Sequence, residues 1–266
     1  MNDSVYLTEK LSTHVYRICE LGINNCFLVV GKKKAALIDC GVGADEIMPL
    51  VREITSLPVM LIASHAHVDH VGGAREFGKV YIHSKDLPIT RWSNSFRNRI
   101  DFLKKHNLYE KYIADGRKLP VYKPYFFIKT FGDGRVFDLG EVKIEAVHTP
   151  GHTVGSCIFK ISEDKIVLAG DNFTPYLLLH YDYTASLSEW VKSCEILFEK
   201  AKGCVIYGGH GRNPISAEGL MWQYENAKEI IAKTKKNDKR SAKKILTVKN
   251  GEHEHLIIKY RTDRII

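Results

Sequence analysis

The sequence has no long apolar run: nothing in its 266 residues approaches the roughly 18 consecutive apolar residues that a membrane-spanning helix requires. Such helices are not expected, and a chain that is 44% hydrophobic and 26% charged has the balance of a soluble globular protein. Met1–Tyr6 lacks the basic segment followed by an apolar one that marks a secretory leader, which makes a cytoplasmic location the default expectation. The six cysteines (Cys19, Cys26, Cys40, Cys157, Cys194 and Cys204) include no C-x-x-C pair. That excludes the common cysteine-based zinc and redox motifs and points to dispersed, reduced, buried thiols. No internal repeat is found. A net acidic balance is missing too; the formal charge is +8, with much of the excess in Lys233–Lys244. Such a run is usually a solvated connection and less often a phosphate-contacting patch, so charge alone does not select nucleic acid as a partner.

What the sequence does contain is His65-Ala66-His67-Val68-Asp69-His70, directly after the apolar run Val59–Ala63 and before Val71-Gly72-Gly73. Neutral imidazoles and a carboxylate are ligands for zinc, iron, manganese and related divalent ions. Alternation places His65 and His67 on one side of an extended segment. The stretch reads as a metal loop at a strand end, against the bland reading of surface or core histidines that fall close together.

Length allows a single domain over 1–266, with an insertion at about 84–130 and a C-terminal appendage at about 232–266. Asn25–Val30 and Ala35–Asp39 read as strands flanking Gly31–Lys34, and a helix around Asp45–Ile54 leads through Pro58 into the strand Val59–Ala63. In the insertion, Trp92, Phe96, Ile100 and Leu103 fall at helical spacing, followed by a run rich in Tyr, Pro and Phe up to Phe127. It reads equally as a lid or substrate wall, or as a helix packing its apolar stripe on the body. Val142–Val147, Cys157–Ile161, Ile166–Ala169 and Val205–Tyr207 read as further strands. Ser186 and Glu189 form a capping box opening a helix with Leu187, Trp190, Cys194 and Leu197 on one face and Gly203 as its stop. A helix over Leu220–Ile231 and a hairpin of Ile245–Lys249 and His255–Tyr260 around Asn250-Gly251 complete the chain. The alternation favours an α/β fold.

Three more candidate ligands follow predicted strands and sit beside glycines, where a sharp turn lets a side chain project into a shared cleft. They are His152 in Thr149-Pro150-Gly151-His152-Thr153, Asp171 after Ile166–Gly170, and His210 in Gly208-Gly209-His210-Gly211. With these on the page, the sequence resembles the metallo-β-lactamase-fold hydrolases. The resemblance rests on His65–His70, His152, Asp171 and His210 in order, with Asn25–Val29 and Leu37–Gly41 as the family's opening strands, and spans roughly residues 15 to 215.

The resemblance implies a four-layer αββα sandwich, α/β (α+β) in class, carrying the insertion and the C-terminal β-hairpin. It implies two divalent ions, zinc first with iron or manganese as alternatives: His65, His67 and His152 on one, Asp69, His70 and His210 on the other, and Asp171 bridging. Asp39 would support the metal loop from behind, or simply cap the turn at Gly41. Two such ions about 3.5–4 Å apart share a water and lower its pKa from 15.7 towards 7, so the implied nucleophile is a bridging hydroxide. Asp69 and Asp171 are then the catalytic carboxylates, and Asp69 would serve as a base if only one ion were bound.

Within the family, β-lactamases proper are disfavoured because they are exported and lack the bridging aspartate. The flavodiiron branch replaces the second histidine with a carboxylate, and the nuclease branch brings a larger inserted domain. The glyoxalase II and lactonase group remains, although the Asn250-Gly251 hairpin stands where glyoxalase II has a glutathione-binding helical tail. The expectation is a metal-dependent hydrolase of a carboxylic thioester, lactone or other ester. Its alternatives are a phosphodiesterase on the same centre, or a non-catalytic metal-containing binding or regulatory protein. Its partner would be a small-molecule substrate, with neither nucleic acid nor membrane expected and a homodimer through the insertion left open. Trp92, Phe96, Tyr176, His180 and Tyr181, with Tyr183 in the same Tyr-rich loop, are the candidate substrate contacts. His148 is a candidate support behind a ligand, whereas His14, His83, His106, His253 and His255 read as ordinary polar residues.

Overall fold

Alternation along the strands decides what each face of each sheet is buried against. The computed structural model describes residues 5–93, 95–121, 127–234, 244–251 and 256–266. Strands β1 (Tyr6–Lys10), β2 (Val15–Glu20), β3 (Asn24–Val30), β4 (Ala35–Ile38), β5 (Val59–Ile62), β6 (Lys79–His83) and β7 (Phe127–Phe131) form one sheet in chain order. It is antiparallel from β1 to β4 and parallel from β4 to β7. The remaining strands are β8 (Arg135–Asp138), β9 (Lys143–His148), β10 (Cys157–Ile161), β11 (Ile166–Leu168), β12 (Tyr176–Leu179), β13 (Val205–Tyr207), β14 (Ile245–Lys249) and β15 (Ile257–Arg261). They make a second sheet, β13-β11-β10-β9-β8, and a small third one, β12-β15-β14. The helices are α1 (Met48–Ile54), α2 (Val68–Val71), α3 (Leu87–Ser93), α4 (Phe96–Lys105), α5 (Tyr109–Ala114), α6 (Leu187–Lys200) and α7 (Ala217–Lys233).

Phe27, Val29, Ile38 and Ile62 of the first sheet meet Ile144, Phe159, Ile161 and Leu168 of the second. Their sequence neighbours point the other way, as a period of two requires. Cys26, Leu28, Leu37 and Leu61 pack under α1 and α4 with Val51 and Leu103. Val147, Ile158, Val167 and Ala169 pack under α6 and α7 with Leu187, Trp190, Leu197 and Leu220. The layers are therefore αββα. Each large side chain fully buried in them contributes about 1.5–3 kcal/mol from apolar transfer.

Helix α6 starts as its sequence requires. Glu189 N–H donates to Ser186 Oγ at 3.2 Å and Ser186 N–H donates to Glu189 Oε2 at 2.9 Å, a complete capping box worth about 1 kcal/mol. All six cysteines are free; Cys19 and Cys204 are only half-buried. Among the described residues no helix is long and apolar enough to cross a membrane.

The insertion departs from the single stripe expected of it. Ser95 Oγ accepts from Asn98 N–H and starts a new helix there, so Trp92 falls in α3 and the other three residues in α4. Ile100 and Leu103 pack on the body, but Phe96 is 47% exposed. The anchor is instead Arg99, which is buried and donates to the carbonyls of Val42 and Pro120, both at 2.9 Å, and to that of Gly43. The end of the expected insertion, Phe127–Thr130, belongs to β7 and pairs with β6. The rest of its aromatic run, 122–126, lies outside the described residues.

The C-terminal hairpin, expected as an appendage, is tied into the body. β15 pairs parallel with β12 and buries Ile258 and Tyr260 against α6 and α7. Its loop is also longer than an Asn-Gly turn: the ladder ends at Lys249 and Ile257, and Asn250 N–H donates to Leu256 O at 3.0 Å. Positions 235–243 of the basic run, and 252–255 with His253 and His255, lie outside the described residues.

Candidate metal centre

Five segments deliver the candidate ligands to one edge of the two facing sheets. His65 and His67 follow β5; Asp69 and His70 lie on the single turn of α2; His152, Asp171 and His210 follow β9, β11 and β13. The loops are fastened to one another by backbone bonds: Cys157 N–H donates to Ser64 O, Gly209 N–H to Gly170 O, and Asn25 N–H to Gly209 O. Gly209 has a steric role, since a Cβ there would collide with Asp171 Oδ1 and come within 2.7 Å of His70 Cε1.

The ring nitrogens are sorted by their protein partners. His152 Nδ1 lies 2.9 Å from Leu178 O and His210 Nδ1 lies 2.8 Å from Ile23 O. A carbonyl only accepts, so both Nδ1 atoms carry the proton and both Nε2 atoms present a lone pair. Asp39 fixes His70 the same way, its Oδ2 accepting from His70 Nδ1 at 2.8 Å. Ser64 completes the support, its N–H and hydroxyl donating to the two Asp39 oxygens at 2.7 Å, with His65 Nδ1 3.1 Å from the hydroxyl oxygen. Asp39 holds this position in the left-handed region, at φ +61°. The sequence admits Asp39 either as support for the metal loop or as a cap of the turn at Gly41; its side-chain hydrogen bonds are with His70 and Ser64.

The freed atoms converge in two groups. In the first, His67 Nδ1 lies 3.1 Å from His65 Nε2 and 2.8 Å from His152 Nε2. In the second, Asp69 Oδ2 lies 3.6 Å from His70 Nε2 and 3.3 Å from His210 Nε2. Asp171 faces both groups: its Oδ2 is 3.0 Å from His210 Nε2 and 3.7 Å from His152 Nε2, and its Oδ1 is 3.3 Å from His70 Nε2. Within each group the ligand atoms lie within 4.8 Å of one another.

The electrostatics of the two groups differ. Burial, and then the neighbouring imidazoles, push His65 and His67 well below the ordinary imidazole range. Burial also lowers His152, although Asp171 acts to raise it. For His70 and His210 burial is outweighed by the facing carboxylates, Asp171 first, and both are raised well above the ordinary range. Asp69 and Asp171 are correspondingly held below the usual carboxylate range, their own burial overcome by His70 and His210.

Such a set fits divalent cations. One Nδ1 proton on His67 cannot serve two facing lone pairs, and two carboxylates facing two imidazole lone pairs repel unless positive charge lies between them. His67 Nε2, His70 Nε2 and Asp171 Oδ1 are moreover buried without a hydrogen-bond partner of acceptable geometry.

A cavity of about 340 Å³ opens on the centre, with Val68, Phe102, Lys105, His106, Tyr181 and Tyr183 in its walls. Tyr181 and Tyr183 stack with ring centres 5.4 Å apart, and both meet the His67 ring edge-on. Tyr181 therefore stands where the sequence placed it. Phe96 does not: it lies over Arg99, and Phe102, a turn and a half further on, faces the cavity. His180 lines neither this cavity nor its neighbour; its ring packs on Tyr181, and burial, aided by Lys259, pushes its pKa down to about 4. Tyr176, 53% exposed, stands at the mouth of the neighbouring cavity. The Trp92 side chain lies outside the described part of the structure. His148 supports no ligand, stacking on His83 and bonding to Val154 O instead.

Three contributors were not singled out by the sequence reading. His106, taken as an ordinary polar residue, lines both cavities at the centre. Asn172 Oδ1 accepts from His152 N–H at 2.7 Å, beside the already chosen Asp171. Asp86 is buried and accepts from Ala66 N–H, Gly155 N–H and the Thr153 hydroxyl at 2.8–2.9 Å, joining the two loops that carry the histidine group. Burial raises its carboxyl to about 6 against those three bonds. No sequence signal marks Asp86, because its partners are backbone groups from distant loops.

The model of the metallo-beta-lactamase superfamily matches residues 19–210, a stretch that contains every candidate ligand. The chain belongs to the metallo-beta-lactamase superfamily. Members bind divalent metals, usually zinc, which agrees with the donor set described above. Among curated members of the superfamily, the acyl-coenzyme A thioesterase MBLAC2 of Gallus gallus is 26% identical over 225 residues, covering 79% of this chain and 78% of that protein. The hydroxyacylglutathione hydrolase GloC of Haemophilus influenzae is 28% identical over 149 residues, covering 55% and 65%. The crystal structure of DIM-1 metallo-beta-lactamase superposes with a TM-score of 0.59 at 16% identity, over 85% of this chain and 99% of that one, which supports the superfamily fold alone. The names of superfamily relatives indicate a hydrolase.

Proposed function

We propose that this protein is a dinuclear metal-dependent hydrolase of carboxylic thioesters, with lactones and other esters as related substrates. The observation that carries the reading is the opening of two adjoining donor groups, sharing Asp171, onto a cavity with apolar and aromatic walls. The thioesterase and hydroxyacylglutathione hydrolase names of its relatives support the same choice.

His65, His67 and His152 would hold one ion and Asp69, His70 and His210 the other, with Asp171 serving both. When bound, two divalent ions supply an activated water near neutral pH and draw charge from the substrate carbonyl oxygen. The chain's own part is to fix and to exclude. Asp39 keeps the proton on His70 Nδ1, while Leu178 O and Ile23 O keep those of His152 and His210, so that these three Nε2 atoms stay aimed inward. The Asp69 and Asp171 carboxylates remain ionised at neutral pH, and the stacked Tyr181 and Tyr183 shield the histidine side from bulk water. In the overall reaction the C–S bond breaks and a C–O bond forms from water. The products are a carboxylate, a thiol and one released proton.

The test is a substrate panel with zinc-loaded protein. Activated thioesters and lactones are expected to be cleaved with kcat/KM at least about tenfold above bis(p-nitrophenyl) phosphate, a difference of about 1.4 kcal/mol in barrier. The opposite preference would replace this reading with a phosphodiesterase, and no metal-dependent turnover on any member would make the protein a binder.

A further inference from the structure

A second and larger cavity, of about 640 Å³, adjoins the first at the same centre, and the two share His106, His152, Leu178, Asp171 and His210 in their walls. Both are largely apolar, and they differ in the charged side chains among their other walls. The first adds Asn98, Asp101 and Lys105 to Val68, Phe102, Tyr181 and Tyr183. The second adds Pro175, Ile215, Leu220 and Leu256 beside the tied-in C-terminal part of the fold, with Thr174 and Ser216, and its one charged addition, Arg212, is exposed. Its one buried amide wall, Gln223, has its Nε2 engaged by the carbonyls of Thr174, Pro175 and Ile257 at 2.9–3.2 Å. Those donors are consumed by the backbone, and a polar ligand gains little there.

We infer that the second cavity is the acyl site: it takes a medium-length, unbranched apolar acyl chain, while the polar thiol portion of the substrate occupies the first. This rests on the thioesterase reading and deepens it. A thioester is a two-sided substrate whose scissile carbonyl must sit at the donor groups, and only a centre shared by two cavities accommodates an extended group on each side. The wall chemistry assigns the sides. Each methylene moved from water onto an apolar wall raises affinity roughly three- to fourfold, a gain that Pro175, Ile215, Leu220 and Leu256 supply over the larger volume and that the first cavity supplies less fully, with Asp101 and Lys105 beside Val68 and Phe102. Arg212 and Asn213, both exposed, mark the outer rim, where the chain would end.

Two measurements on the zinc-loaded full chain test the assignment. In the first, coenzyme A thioesters of acetate, butyrate, octanoate and dodecanoate are compared by kcat/KM. In the second, acetate and octanoate are titrated calorimetrically, a readout that needs no turnover. Octanoyl thioester is expected to exceed acetyl at least tenfold in kcat/KM, and octanoate to bind at least tenfold tighter than acetate. Ile215→Trp, which fills the cavity from a half-buried position, is expected to remove both preferences. Ile215→Asn, smaller and polar, is expected to reduce both preferences, with a thermal melt confirming the fold of each variant. If thioesters are cleaved without regard to acyl length and octanoate binds no tighter than acetate, the acyl site is wrong and the hydrolase reading stands. If nothing is cleaved but octanoate binds and Ile215→Trp abolishes the binding, the acyl site stands and the hydrolase reading falls.

Discussion

The two donor groups of the centre sit side by side and share Asp171, yet they solve the problem of burying polar atoms in opposite ways. His65, His67 and His152 form a neutral set whose lone pairs face one another, with basicities lowered first by burial. Asp69, His70, Asp171 and His210 form a charged set in which carboxylates and imidazoles pull each other's pKa apart. The first is stable in water-poor surroundings without a cation but presents unused lone pairs. The second gathers carboxylates whose negative charge a cation between the donors would balance. Two neighbouring donor groups can thus be built by two electrostatic routes, with the Asp171 carboxylate facing both.

Removing that carboxylate gives the largest expected effect. Asp171→Ala is expected to lower kcat/KM at least about 1,000-fold and to release at least one of two bound zinc ions, read by elemental analysis after gel filtration. Full activity with two retained ions would show that the groups act independently. Gly209→Ala comes next: its Cβ would press on both Asp171 and His70. It should disturb the charged group first, with a loss of about 100-fold or more in turnover and a weaker second zinc equivalent, while the first equivalent still binds. Equal loss of both equivalents would erase the distinction between the groups.

Asp39→Asn tests the charged group more gently. It keeps the size of the side chain but withdraws the carboxylate that holds the His70 Nδ1 proton. A 10–100-fold loss of zinc affinity or activity is expected, in the range for supporting residues. The smallest effect belongs to Asp86, behind the neutral group. Its folded pKa of about 6 lies above the ordinary carboxylate value, so its contribution to stability is fully present below about pH 4 and lost as pH rises through about 6. Wild-type unfolding free energy should carry a downward step of up to about 3 kcal/mol over that window. Asp86→Asn should lack the step in denaturant titrations at pH 4, 5, 6 and 7; a step that persists would trace it to another group.

The ligands were legible because each follows a strand and has a glycine or another ligand beside it: His65–His70 after β5, Asp171 after β11, His210 after β13. The strands were legible as short apolar runs, because both faces of each sheet are buried: Phe27 and Leu28, or Val167 and Leu168, face opposite layers and are all apolar. The cavity walls were read less well. Phe96 fits a helical stripe by spacing, but Ser95 restarts the helix and turns Phe102 to the cavity in its place. His180 sits in the right loop with its ring turned onto Tyr181. The Asn250-Gly251 signal correctly located a hairpin but concealed both its longer loop and its pairing with β12.

The sequence by itself determined the donor types, their order, and the strands and caps that carry them, because these depend on contacts within a few residues of each position. Tertiary structure alone decided which ring nitrogen faces inward, and that Asp86 and Gly209 matter. It also decided that the C-terminal hairpin walls a cavity at the centre. Each of these depends on bonds or close approaches between segments distant in the chain, such as Asp39 with His70 or Asp86 with Gly155, and no local pattern records such a pairing.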